Sequence, residues 1–217
     1  DEVPSVAIIP FENKGKEEDV FYAYGICADL ISDVSSAGLI RVPSLKRVEE
    51  VADLSLDEKA TKLDVRYTVE GTLWKMGDMF QLSVELYDTK DKKVVWSDRW
   101  QEKWENLATI KGSLSDGLLK ALDTKPKVEQ KEDATNPKAY AFYLEAKHKY
   151  GKRENIDDTE IARGLLNKSI ELDDNLIDAK LLLGTTYEDM GDYDKAMDIY
   201  TPALKQAEEL GDKQETG

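Results

Sequence analysis

A 36-residue stretch, Val65–Trp100, carries the strongest strand patterning in the chain. Phe80, Leu82, Val84 and Leu86 alternate with Gln81, Ser83, Glu85 and Tyr87, and a period of two puts each set on its own face of a pleated sheet. Val65, Tyr67, Val69, Gly71 and Leu73 form a similar comb before it, and Val94, Trp96 and Trp100 a looser one after it. The polar segments Lys75–Asp78 and Asp88–Asp91 separate the three runs, so they are expected to pair as an antiparallel meander with one buried face. Such a sheet needs a cover.

The flanking residues supply one. Ser5–Phe11 is a short apolar run ended by Pro10, the pattern of a strand buried on both faces. Val20, Tyr24, Cys27, Ile31 and Val34 recur at helical spacing up to Gly38, and 39–42 reads as a second strand parallel to the first. A short helix is expected from Ser44. A second opens at Ser55, where Ser55 and Glu58 fit a capping box. Leu107, Ile110, Leu114, Leu118 and Leu122 define a long helix over 104–123. The predicted fold class is an α/β (α+β) mixed-sheet domain with helices on one face.

From Pro126 the composition turns to Ala, Leu, Lys and Glu. The expected division is an α/β domain over 1–125, a linker over 126–137 and an all-α helix-turn-helix array over 138–217. Ala162, Leu166, Ser169 and Asp174 are followed 34 residues on by Ala196, Tyr200, Ala203 and Glu208, the period of a tetratricopeptide unit. Leu183-Gly184, Tyr187 and Gly191-Asp192-Tyr193 complete the signature in the second of about two units. The first unit is expected to have a turn about four residues longer than the tetratricopeptide consensus, and Pro202 to kink the last helix.

The charge limits the function. Asp1–Lys125 holds 24 acids against 17 bases and the remainder 21 against 13, giving a net charge of −15. Neither half offers the basic field that phosphate backbones require, so no nucleic-acid partner is expected, and no run is long enough to insert directly into a bilayer. His148 is the only histidine and Cys27 the only cysteine, which leaves no Ser-His-Asp or Cys-His site within one chain and no thiolate metal cage. The acidic clusters 157–160 and 171–174 lack calcium-loop spacing, and Lys14-Gly15-Lys16 is no phosphate loop. No catalytic residue, cofactor site or metal site is assigned, and the chain is read as a non-enzymatic binding module.

Two sets of residues are candidates for partner binding. In the repeats, first-helix residues Asp178, Leu181, Thr185 and Glu188 would line an acidic inner groove suited to a basic or neutral peptide. On the sheet, Trp96, Trp100 and Trp104 would gather at one end, where indoles serve either as packing or as a platform for a sugar, peptide or strand. A third set, Tyr193, Met197, Tyr200 and Leu204, forms an apolar stripe on the last helix. This stripe is expected to be covered by more of the array, by the first domain, or by another copy in a homo-oligomer.

Ser5–Phe11, the Phe21-Tyr22…Gly25-Ile26…Leu30 helix, Gly38–Val42, Leu63–Thr72, Leu82-x-Val84-x-Leu86-Tyr87-Asp88, Val95-Trp96-Ser97 and Trp100 resemble the TolB amino-terminal-like domain. In bacteria that domain is often joined to tetratricopeptide repeats downstream of an adenylate or guanylate cyclase, a protein kinase or a CadC-type winged-helix regulator. The family's Lys-Gly-Lys-rich segment after the second strand is replaced here by Leu45–Asp53. The resemblance implies no catalytic residues, a sensory or interaction role in a signalling protein, and an extracytoplasmic position where one membrane span precedes the domain. A cell-envelope scaffold or lipoprotein-like factor, and a small-ligand or glycan binder centred on the tryptophans, are the alternatives.

Overall fold

The computed structural model describes residues 3–38, 40–124 and 135–215. The chain forms two compact units, Asp1–Glu129 and Gln130–Gly217. Most of the expected linker falls outside the described residues.

The first unit is built on a five-stranded mixed sheet. Strands β1 (Val6–Ile8), β3 (Tyr67–Met76), β4 (Met79–Asp88) and β5 (Lys93–Lys103) lie in that order, and β2 (Glu12–Asn13) also pairs with β3. β1 and β2 run parallel to β3, while β3–β4 and β4–β5 are antiparallel. The meander thus forms as its alternation requires. Phe80, Leu82, Val84 and Leu86 are buried, and burying each such side chain contributes about 1.5–3 kcal/mol. The first hairpin is tighter than the polar segment implies: only Gly77 and Asp78 lie outside the strands, and Gly77 sits at φ 63°, a conformation costly for any residue with a Cβ. In place of a second parallel strand over 39–42, a single parallel bridge joins Ser5 to Arg41. Leu39 lies outside the described residues.

Helix α1 (Val20–Ser36) ends before Gly38, which adopts φ 71° as a left-handed cap should. It packs against the sheet and against α4 (Leu107–Ala121), with Ile26, Leu30, Leu114 and Leu118 in the core. Tyr22 meets Phe80 edge-on at 4.9 Å between ring centroids. A polar link spans the two helices, where Lys111 Nζ and Ser115 Oγ donate to Asp33 at 3.1 and 2.6 Å. Cys27 is buried, its thiol 3.6 Å from the Ile9 carbonyl. On the side of β1 away from Val6 and Ile8, Ala7 meets a small cluster of Val48 from α2 (Leu45–Glu49), Ala60 and Leu63 from α3 (Leu56–Leu63), and Val65 just beyond α3. The Ser55–Glu58 capping box forms at the start of α3. β1 is therefore covered on both faces.

The second unit is four consecutive helices: α5 (Pro137–Gly151), α6 (Ile156–Leu172), α7 (Ile177–Glu188) and α8 (Tyr193–Glu215). Asn136 caps α5 ahead of Pro137 by accepting from the amides of Lys138 and Ala139. Ser169 Oγ, late in α6, donates to the Ala139 carbonyl at 2.7 Å, and Lys149, late in α5, pairs with Asp158, early in α6, at 2.7 Å. These contacts fix α5 and α6 as an antiparallel pair. Lys180 with Gln206 and Gly184 against Tyr200 do the same for α7 and α8. The turns 152–155 and 189–192 have equal length, so the extra residues ahead of α6 lengthen α5, 15 residues against 12 in α7, and not the turn. Pro202 lies inside α8, which runs through it as one helix.

Candidate interaction surfaces

Ala179, Leu183, Gly184 and Thr186 form the buried side of α7. Asp178, Leu181 and Glu188 are exposed and Thr185 is half-buried, so the four predicted groove residues form one accessible stripe. Its geometry is set by Gly184. A Cβ there would lie 2.3 Å from Tyr200 Cε1, so only glycine lets the Tyr200 ring lie flat on α7. The Tyr200 hydroxyl then donates to Glu188 Oε2 at 2.8 Å and stands 3.0 Å from Thr185 Oγ1. Burial raises the Tyr200 hydroxyl above the ordinary tyrosine range; the Thr185 contact opposes that and Glu188 adds to it. Two sets that the sequence kept apart, the α7 groove residues and the α8 stripe, thus meet at Tyr200. The rest of the stripe is open: Tyr193, Met197 and Leu204 are 66%, 59% and 61% exposed.

The sequence reading missed the polar joint beneath this surface. Arg163 of α6 is 9% exposed; its Nε donates to Thr186 Oγ1 at 2.9 Å, its Nη2 to the Thr186 carbonyl at 2.8 Å, and its guanidinium lies 3.8 Å from the Tyr187 ring centroid. A signal was present, since Arg163 falls on the side of α6 that carries Leu166. Nearby, the Tyr150 hydroxyl donates to Asp189, and Arg153 Nη2 reaches the same carboxylate at 3.2 Å. Burial first and the Asp189 hydrogen bond second push the Tyr150 hydroxyl far above its usual range.

On the first unit, Trp96 and Trp100 stand opposite Leu86 and Leu82 on the helix-covered face, half-buried, with ring centroids 6.4 Å apart. Trp96 packs against Gly117 of α4, where a Cβ would lie 2.7 Å from Trp96 Cζ2. Trp100 lines an open cleft of about 280 Å³ with Glu102, Asn106, Thr109, Ile110 and Ser113. Trp104 begins the short 3-10 turn that follows, its amide bound to the Asp78 carbonyl at 2.7 Å, and among the described residues it makes no ring contact with the other two. Among the described residues no His, Cys, Asp or Glu group has the arrangement of a metal site, and no helix is long and apolar enough to cross a membrane.

The described residues thus form a mixed-sheet unit and a unit of four helices, with an accessible stripe on α7 of the second. The family model of the HilA/YgeH-like transcriptional regulator, second domain, matches residues 2–116, and the chain belongs to that family. Similar solved structures include TolB from Acinetobacter baumannii (18% identity over 58% of this chain and 30% of that one, TM-score 0.43). They also include lipoprotein GNA1162 from Neisseria meningitidis (17% identity, 46% and 79% of the two chains, TM-score 0.40) and the PelC dodecamer from Paraburkholderia phytofirmans (19%, 57% and 90%, TM-score 0.40). The chain therefore spans less than a third of the TolB chain it matches. No curated protein matches the chain.

Proposed function

We propose that this chain is a non-catalytic partner-binding part of a bacterial transcriptional regulator, in which α5–α8 act as tetratricopeptide-type repeats holding a peptide or protein. Membership of a regulator family supports the context. The 34-residue recurrence and the antiparallel pairing of α5 with α6 and α7 with α8 support the repeat assignment. The observation that carries the reading is the α7–α8 surface on which Leu181, Thr185 and Glu188 are arrayed around a hydrogen-bonded Tyr200. An apolar residue beside anchored polar groups is how a recognition surface combines affinity with orientation. Asp178 and Glu188 make it acidic, which favours a basic or neutral segment.

In the intact regulator, the double change Leu181→Lys, Glu188→Lys is expected to lower transcription from its target promoter about ten-fold, the effect of losing about 1.4 kcal/mol of partner affinity. Binding of the same protein to promoter DNA, measured separately, is expected to be unchanged. Full transcription from the double variant overturns the proposal.

A further inference from the structure

We propose that the free edge of β5 takes an extended segment of another protein as a further strand of the sheet, and that basic side chains at alternate positions of that segment enter the cleft beside Trp100. This surface lies on the first unit and does not rest on the α7 reading. Strand β5 ends the order β1-β3-β4-β5, and among the described residues only β4 pairs with it. The ladder shows which of its groups are open. Ile9 and Lys14 take the carbonyls of Val69 and Leu73 on the far side of β3, so the main-chain groups of Thr72 and Trp74 turn towards β4. The same alternation, carried through the register, turns the groups of Trp100 towards β4 and those of Ser97, Arg99 and Gln101 outwards. Accordingly the Arg99 amide donates to its neighbour, Asp98 Oδ1, at 2.7 Å. A row of open donors and acceptors is a template for strand addition. Bulges and lysines guard such edges, but here the register shift falls opposite Leu86 and Tyr87, ahead of Ser97, and Lys103 stands at the far end.

Charge selects the partner. An added strand places every second side chain on the helix-covered face, level with Trp96, Asp98, Trp100 and Glu102. That wall is aromatic and acidic. Trp100 is half-buried and lines the cleft of about 280 Å³ with Glu102, Asn106 and Ser113. Asp98 and Glu102 are exposed, and among the described residues neither forms an ion pair; Glu102 is held by Asn106 Nδ2 at 3.2 Å. The bases of this stretch, Arg99 and Lys103, stand on the other face, opposite Ser83 and Met79, and Arg99 Nε donates to Ser83 Oγ at 3.1 Å. A Lys or Arg stem can lie along the Trp100 indole while its head meets a carboxylate, so a segment with bases at every second position satisfies edge and cleft together. An acidic segment is repelled.

Titration of the 217-residue chain with an alternating Lys-Thr peptide of about eight residues is expected to shift its tryptophan emission and to saturate. A peptide of the same composition with its lysines in one block is expected to bind about ten-fold more weakly. N-methylation of one alternating set of peptide amides is expected to abolish binding and that of the other set to leave it, because only one set faces β5. Asp98→Lys with Glu102→Lys, both at exposed positions, is expected to lose the Lys-Thr peptide and to gain a Glu-Thr peptide, with an unchanged circular dichroism spectrum. No binding at about 1 mM peptide overturns the inference. So does binding indifferent to lysine placement, to the methylated set or to the double variant. Self-association of the chain that the peptide disrupts also overturns it, since the occupant is then a second copy.

Discussion

Valine in place of Gly184 is expected to unfold the α7–α8 pair at temperatures where the parent is folded. The Tyr200 ring occupies the space that a side chain at 184 would need, with Cε1, Cδ1 and Cζ all within 3 Å of an added Cβ. The ring cannot retreat cheaply, because its hydroxyl is bound to Glu188 and Thr185. Overpacking of this kind costs about 3 kcal/mol where backbones must separate. For a unit of this size that is roughly 10–20 °C in Tm. Gly164 on α6 is the control: nothing lies within 4 Å of its added Cβ, so Gly164→Ala is expected to stabilise by about 1 kcal/mol through helix propensity alone. Thermal melts followed at 222 nm check both. Equal and small effects at 184 and 164 would show that the Tyr200 contact is not what sets the helix spacing.

Asp88→Ala is expected to destabilise the first unit by about 2–3 kcal/mol at neutral pH. The carboxylate is 2% exposed; it accepts from Arg66 Nε at 3.1 Å and Nη2 at 2.7 Å, and from the amides of Lys90 and Asp91 at 2.9 and 3.1 Å. Removing it strands two amide donors and a guanidinium at the β4–β5 turn. The value lies below that of a fully buried pair because Arg66 is partly open to solvent, which screens the charge. Burial by itself raises the Asp88 carboxyl, but the Arg66 hydrogen bond and the two amides outweigh it and hold it below the usual carboxylate range. A group depressed in the folded state adds stability above its unfolded value, near 4, and loses it as pH falls through the folded value. The gap between parent and variant in urea melts is therefore expected to be full at pH 7 and to shrink towards pH 3. A gap that grew on acidification would assign the wrong sign to this carboxylate.

The meander, the long helices and the helical array are legible in the sequence because each is written as a period: two for β4, 3.6 for α1 and α4, and 34 for the array. What is not legible is geometry that periods do not carry. The combs place Trp96 and Trp100 on one face correctly, but not that Gly117 of α4 receives the Trp96 ring, because that contact is fixed by how the helix crosses the sheet. The segment at 39–42 has the composition of a strand, yet among its described residues only Arg41 pairs with the first strand, its amide bound to the Pro4 carbonyl and its carbonyl to the Val6 amide. β2 is invisible for the opposite reason: Glu12 and Asn13 have no strand preference and are held by the register of Thr72 and Leu73. At the candidate surface, the spacing of 178, 181, 185 and 188 marks an accessible stripe. That Tyr200 crosses from α8 to complete it follows from a three-dimensional contact at Gly184.

The central claim is that the α7–α8 face holds another protein. A photo-cross-linking amino acid placed at Leu181 in the intact regulator, irradiated in living cells, tests it directly, with Ile161 of α6, also exposed, as the reference position. The account predicts a discrete adduct from position 181 to a protein other than the regulator, lost when Glu188 is changed to Lys and absent from position 161. No adduct from 181, or the same adducts from both positions, would contradict it.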